Sequence, residues 1–94
     1  MIYAVLFEDN NDRADMRTKH MSDHLAFLRK NARKINAAGP LIDTADKTPA
    51  GGLWLVEAEN HQAVSDLVEA DPFYATGLRK SMRILQWSQV FSNE

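Results

Sequence analysis

Three segments of this chain are apolar on both of their alternating faces, and this pattern restricts the fold more than any other sequence feature. The segments span residues 2–7, 53–56 and 84–91. In the first of them, successive residues of a strand would point to opposite faces as follows: Ile2, Ala4 and Leu6 against Tyr3, Val5 and Phe7. An antiparallel strand with one face in water alternates apolar with polar residues instead. We therefore expect both faces of the sheet to be covered.

Apolar periodicity and turn residues predict the element order β-α-β-β-α-β. The predicted strands cover residues 2–8, 41–44, 53–58 and 83–91, the main helix covers 22–38, and short helical pieces cover 13–20 and 73–78. Ser22 is a suitable N-cap and Gly39 a suitable stop for the main helix. A second helix begins after Asn60 and ends at Asp71, because the residue before Pro72 avoids the α region. Residues 46–52 are expected to form a loop before the third strand. This order is typical of an α+β, ferredoxin-like βαββαβ fold.

Two helices can cover only one face of such a sheet. A bare apolar second face would exceed the roughly few hundred Å² that soluble monomers usually expose. An identical chain related by a two-fold axis is the simplest cover. We therefore expect a homodimer in which two sheets face each other as a dimeric α/β barrel.

Length and composition exclude several classes of function. The 94 residues are expected to form a single domain, 1–94, and the formal net charge of −2 offers no basic face for nucleic acid. The absence of cysteine excludes disulfides and thiolate nucleophiles. The longest apolar runs are far shorter than the roughly 20 residues that span a bilayer, and the chain begins like a strand and not like a signal peptide. We expect a cytoplasmic protein.

His24 lies on the apolar stripe of the main helix and is the first candidate functional residue. The stripe recurs at steps of three and four, through Met21, Leu25, Leu28, Ala32 and Ile35. A polar ring on such a stripe needs a partner, because an unpaired buried group costs about 1–3 kcal/mol. Asp71, whose backbone is restrained by Pro72, is the best-placed acid.

A histidine bonded to a carboxylate is suited to proton transfer. A neutral imidazole accepts a proton and the imidazolium returns it, while the acid fixes the tautomer and stabilises the charged form. The N-terminal end of a helix opposes that charge. Two other interpretations stay open: Asp71 caps a short helix with Pro72 at its first position, and His24 is a satisfied core histidine.

The remaining candidates are weaker. Four cations, each able to bind a substrate carboxylate, also fit a solvated face: Arg17, Lys19, Arg79 and Lys80. His20 and His24 have a metal-ligand spacing, but no further ligands accompany them, so no metal site is expected. The larger aromatic residues are expected in the core and the interface.

Several short motifs of the chain are shared with one known family: His24-Leu25, Ala38-Gly39-Pro40, Glu69-Ala70-Asp71-Pro72-Phe73, Gly77 and Trp87. Through them, the chain resembles the YCII-related (YciI-like) family over nearly its whole length. The resemblance implies a dimeric ferredoxin-like α/β barrel, similar to muconolactone isomerases, with a histidine and an aspartate in a pocket as the catalytic pair. One member type is a dehydrochlorinase acting on a chlorinated muconolactone.

Carried onto this chain, the resemblance implies catalytic roles for His24 and Asp71, with Pro40 and Phe73 beside the substrate. Arg17 matches a recurrent basic position ahead of the histidine. The pocket is then expected between the sheet and the main helix, roofed by residues 71–77.

The function expected from residues and resemblance together is a small-molecule lyase, isomerase or dehalogenase-like enzyme. His24 would act as general base on a small carboxylated or lactone substrate, with no cofactor needed for proton abstraction. Two alternatives stay open: a dimeric barrel that binds a small ligand without converting it, and a heme- or quinone-handling monooxygenase on the same fold.

Overall fold

The computed structural model describes residues 1–93. Its helices and strands follow in the order β1 (Ile2–Asp9), α1 (Asp15–Lys19), α2 (Met21–Lys30), β2 (Ile35–Ile42), β3 (Pro49–Glu57), α3 (His61–Ala70), α4 (Pro72–Ala75) and β4 (Arg79–Trp87). A turn of 3-10 helix, Asn11–Arg13, joins β1 to α1. The strands form one antiparallel sheet in the order β2-β3-β1-β4. The predicted four-stranded α+β arrangement is confirmed, and α1 and α4 are the short helical pieces that the sequence predicts.

One face of the sheet carries the core. The core there consists of alternate residues of β1 and β3 together with buried residues of α3. These are Tyr3, Val5 and Phe7 of β1, Trp54 and Val56 of β3, and Val64, Leu67 and Val68 of α3. Each large apolar side chain buried in this way contributes roughly 1.5–3 kcal/mol. The alternation predicted from the sequence therefore has the correct parity in both central strands.

The opposite face of the sheet is apolar and only partly covered. Ala4 in the central strand lies between Leu55 of β3 and Leu85 of β4. Leu85 is 39% exposed, and Trp87 at the end of β4 is 41% exposed. A single chain therefore leaves an open apolar surface on the side of the sheet away from its helices.

The main helix is shorter than predicted. The sequence pattern predicts residues 22–38, but α2 ends at Lys30 and the chain enters the sheet as β2. Asn31 closes the helix, since its backbone N–H and its side-chain amide both donate to a carbonyl of the last turn. Ile35, which the helical spacing places on the stripe, is instead buried in β2 beside Val56. An apolar residue at this position is compatible with helical and with strand periodicity, so pairing with β3 determines which structure forms.

The residues predicted to bound that helix have other roles. The helix begins at Met21, and His20 precedes it without a side-chain capping hydrogen bond, so Ser22 is not the N-cap. Gly39 and Pro40 lie inside β2 and end no helix. Because β2 is at the edge of the sheet, it tolerates a proline that donates no ladder hydrogen bond.

Two strands also have different bounds from those predicted. Pro49 opens β3, so residues 49–52, predicted as loop, form the first part of that strand. Val90 and Phe91, predicted in the last strand, lie beyond β4 and are exposed. In residues 1–93, no helix has the length and apolar composition to cross a bilayer.

Candidate active site

His24 is the one buried residue among the ten of α2 and is 6% exposed, whereas the neighbouring Leu25 is 39% exposed. The helix thus directs its histidine, and not its leucines, most deeply toward the sheet. The imidazole stacks on the ring of Phe73, with 4.1 Å between the ring centroids and an angle of 16° between their planes. Trp54 of β3 lies on a roughly parallel plane with its centroid 6.3 Å away. Packing between aromatic rings therefore fixes the orientation of the imidazole.

Asp71 is the hydrogen-bond partner of this imidazole. His24 Nδ1 lies 2.8 Å from Asp71 Oδ1, and the acid is 3% exposed. The same oxygen accepts the backbone N–H of Phe73 at 3.2 Å, as the N-cap of α4, with Pro72 at the first helical position. The capping role and the contact with His24 therefore occur together. Because an ionised carboxylate only accepts, the proton of a neutral His24 lies on Nδ1, and Nε2 is left as the acceptor.

A pocket of about 140 Å³ lies between α2 and the sheet. Six of the residues that line it are Arg17, His24, Leu28, Pro40, Trp54 and Arg79. Arg17 and Pro40 line this pocket together with His24. Phe73 and Asp71 are not part of the lining. Asp71 and Phe73 contact the imidazole of His24 instead, by a hydrogen bond and by ring stacking.

Two arginines converge on one acid at the side of the pocket. Arg17 Nη2 and Arg79 Nη1 both donate to the Asp9 carboxylate, the latter at 3.1 Å. The sequence pattern gives Asp9 only as part of an acidic turn. Strict alternation along β1 could have identified Asp9, because that pattern places it on the same side of the strand as the buried Phe7.

The two arginines differ in burial. The Arg79 side chain is 7% exposed and that of Arg17 is 26% exposed. Burial lowers the pKa of Arg79 from its ordinary value, while the Asp9 carboxylate acts in the opposite direction. An arginine nevertheless stays charged in proteins. The other two cations singled out in the sequence, Lys19 and Lys80, are exposed.

The His20–His24 spacing does not assemble a metal site in this fold. His20 Nδ1 lies 3.9 Å from an oxygen of Asp23, which is itself exposed. Across the described residues 1–93, no three histidine or acidic side chains are grouped as metal ligands.

Comparison with known proteins finds a family whose sequence pattern this chain matches. The model of the YCII-related domain matches residues 1–88. Protein YciI of Escherichia coli O6:H1 (strain CFT073) is 26% identical over 98 residues, which cover 97% of this chain and 100% of the relative. Protein YciI of Shigella flexneri gives the same identity and coverage.

A solved structure with the same fold is that of 5-chloro-2-hydroxyhydroquinone dehydrochlorinase (TftG) from Burkholderia phenoliruptrix AC1100, in complex with 2,5-dihydroxybenzoquinone. Its TM-score is 0.80 and its identity 29%, with 94% of each chain covered. This neighbour is named for a chlorinated hydroxyhydroquinone, whereas the sequence resemblance implies a dehydrochlorinase of a chlorinated muconolactone. Since the family model spans both His24 and Asp71, with nearly all of the rest of the sequence, the chain belongs to the YCII-related domain family.

Proposed function

We propose that this protein is a small-molecule lyase or isomerase of the dehalogenase-like type, with His24 as its general base and Asp71 as the residue that orients and charge-stabilises it. The observation that carries the proposal is the 2.8 Å contact between His24 Nδ1 and Asp71 Oδ1. That contact leaves the second ring nitrogen as the acceptor for a substrate in the pocket that His24 lines. A base positioned in this way contributes roughly 10²–10⁴ in rate.

The proposed step starts with a substrate whose acidic C–H or O–H proton faces His24 Nε2. The imidazole takes the proton, and the electron pair of the broken bond moves into the substrate. In an elimination, that pair expels a leaving group such as halide, and the imidazolium gives its proton to solvent. In an isomerisation, the imidazolium returns the proton to another carbon of the same molecule. Asp71 stabilises the imidazolium in both cases, because opposite charges are then 2.8 Å apart.

The size and charge of the pocket support a substrate class. A volume of about 140 Å³ is close to that of an engineered cavity of roughly 150 Å³ that holds benzene. Arg17 and Arg79 line it, so an acidic or anionic oxygen would be favoured. We propose a single ring or compact acid: a small carboxylate, a lactone or a hydroxylated ring. The 2,5-dihydroxybenzoquinone bound by the structural neighbour has this size and this type of oxygen.

We also propose a homodimer formed through the open face of the sheet. Leu55, Leu85 and Trp87 lie on that face, away from the helices, and a second copy would remove them from water. Both sheets would then be covered on two sides, as the doubly apolar strands require.

The test is a ligand screen that measures both binding and conversion. Chlorinated hydroquinones, hydroxylated quinones, lactones and small carboxylic acids are mixed with wild-type protein, His24→Ala and the control His61→Ala. His61 is the exposed first residue of α3. A ligand stabilises the folded state by linkage, so a true ligand raises the melting temperature of wild type. We expect one class to be consumed by wild type and by His61→Ala, and not by His24→Ala.

The same screen separates the alternatives. A ligand that raises the melting temperature and is never consumed would identify a binding protein and contradict the enzyme proposal. Conversion that consumes dissolved oxygen, measured with an oxygen electrode, would favour the monooxygenase. Equal binding and conversion by wild type and His24→Ala would place the chemistry elsewhere.

A further inference from the structure

A break in the register of the sheet places Arg79 beside the His24–Asp71 contact. The pairing of β1 with β4 shifts after Glu8, so that Asp9 pairs with Arg79 and Lys80 is left over. Strict alternation from Met82, which packs on the core, would turn Lys80 inward instead. A bulge of this kind re-aims a side chain, and such bulges are frequent near active sites.

The guanidinium of Arg79 is held from several sides. Its Cζ lies 4.1 Å from the centroid of the Phe7 ring and 5.3 Å from that of Phe73, the ring on which His24 stacks. Nη1 donates to Asp9 Oδ1 at 3.1 Å, and Nη2 lies 3.9 Å from Asp71 Oδ2. Asp71 Oδ1 is taken by His24, so Arg79 faces the other oxygen of the same carboxylate.

Stability alone does not account for a cation at this position. Removing a guanidinium from water is costly, and an apolar side chain of similar size often serves a buried position as well or better. Arg79 Nε is moreover buried and has no hydrogen-bond partner among residues 1–93. Besides its hydrogen bond to Asp9, the arginine supplies a positive charge facing Asp71, which an apolar residue would not.

We propose that Arg79 is a positioning residue for the catalytic pair: anchored by Asp9, it balances and orients the Asp71 carboxylate, so that His24 carries its proton on Nδ1 and keeps Nε2 free as a base. The inference rests on the proposed function, because Arg79 acts through Asp71 on His24. Along the chain of contacts Arg17, Asp9, Arg79, Asp71, the charges alternate in sign.

Loss of the arginine has a defined chemical consequence. Without Arg79, the imidazole and the backbone N–H of Phe73 are left to offset the buried Asp71 charge, and neither is a cation while His24 is neutral. Either His24 takes a second proton, or Asp71 is protonated and donates to Nδ1, which moves the ring proton to Nε2. Both outcomes leave Nε2 protonated, and the base is lost.

The experiment compares Arg79→Met and Arg79→Lys with wild type and with Arg33→Met. Arg33 is exposed, so its substitution makes the same chemical change without burial. Long-range ¹H–¹⁵N correlation spectra of the imidazoles at slightly alkaline pH report which nitrogen of His24 is protonated, and they need no substrate. Melting temperature is measured in parallel, and kcat and KM are measured with any substrate found in the screen.

We expect His24 Nε2 to be unprotonated in wild type, in Arg33→Met and in Arg79→Lys, and to be protonated in Arg79→Met. In Arg79→Met, kcat should fall by about 10²-fold or more, with KM little changed. A lysine restores the positive charge but not the two separate guanidinium nitrogens that face Asp9 and Asp71. We therefore expect kcat to recover only in part.

Two results would overturn the inference. One is an Arg79→Met protein that has a lower melting temperature but an unprotonated His24 Nε2. The arginine would then have a structural role alone. The other, decisive where Arg79→Met does not fold, is a folded Arg79→Lys protein whose His24 Nε2 is protonated although the positive charge is present. Neither the spectra nor the melting temperature depends on turnover, so failure to find a substrate contradicts the proposed function without bearing on Arg79.

Discussion

His24 Nδ1 and Asp71 Oδ1 are 2.8 Å apart although 47 residues separate them in the chain. The contact joins α2 to the junction between α3 and α4, two parts of the structure that the sheet brings together. Its two side chains are 8% and 2% exposed, so water competes little for the hydrogen bond.

Replacing Asp71 by asparagine should abolish turnover and leave the fold intact. Asparagine is as good an N-cap as aspartate, so α4 keeps its capping hydrogen bond. The amide cannot stabilise the imidazolium, and in the serine proteases the equivalent change lowers kcat by about 10⁴. We expect kcat to fall by at least about 10² with substrate binding retained. Asp66→Asn on the exposed side of α3 is the control. Wild-type kcat in Asp71→Asn would contradict the role of the acid.

Truncation of Phe73 should destabilise the protein strongly. The side chain is fully buried, and His24 stacks on its ring. Phe→Ala changes in cores cost about 3–5 kcal/mol, which urea unfolding would measure as a lower midpoint. The more conservative Phe73→Leu should keep most of the stability but remove the ring on which the His24 imidazole stacks, so that the imidazole is less well oriented. The partly exposed Tyr74, truncated to alanine, is the control and should change the midpoint little. An equal loss at both positions would show that the ring stack is not the source of the effect.

Arg17→Met should weaken binding of an anionic substrate and leave a neutral ligand of the same shape unaffected. Arg17 lines the pocket together with His24. A hydrogen bond to a charged group contributes about 1.5–3 kcal/mol, so Kd or KM should rise by roughly 10–100-fold. The exposed Arg13, replaced in the same way, is the control. If anionic and neutral ligands weaken equally, Arg17 does not bind the anionic oxygen.

Leu85→Glu should produce monomers. Leu85 is 39% exposed on the open face, in register with Ala4 of the central strand. A carboxylate there would be buried without a partner in the proposed homodimer, yet it would be solvated in the single chain. Light scattering after size-exclusion chromatography should show a dimer for wild type and a monomer for the variant. Gln62→Glu, on the exposed side of α3, adds the same charge away from the sheet and should remain dimeric. A monomeric wild type would contradict the dimer proposal.

The parity of β1 and β3 and the inward position of His24 were predictable from the sequence. These features depend on spacing within one segment, and alternation or helical periodicity reports that spacing directly. The Asp71-Pro72 junction was equally local, because proline restricts the residue before it. The YCII family was also accessible from the sequence, through the residues around His24 and Asp71.

The conformation of the segment after α2 and the position of Arg79 beside the pocket depend on contacts between distant parts of the chain. Ile35 fits a helical stripe and a strand equally well, and its pairing beside Val56 in β3 selects the strand. The register shift that turns Arg79 toward Asp9 depends on how β1 meets β4, which no pattern within either strand encodes. Periodicity is a property of one segment, whereas register and bulges are properties of two segments in contact. For that reason the sequence indicated the histidine, the acid and four candidate cations, whereas the fold added Asp9 and placed Arg17 and Arg79 at the pocket.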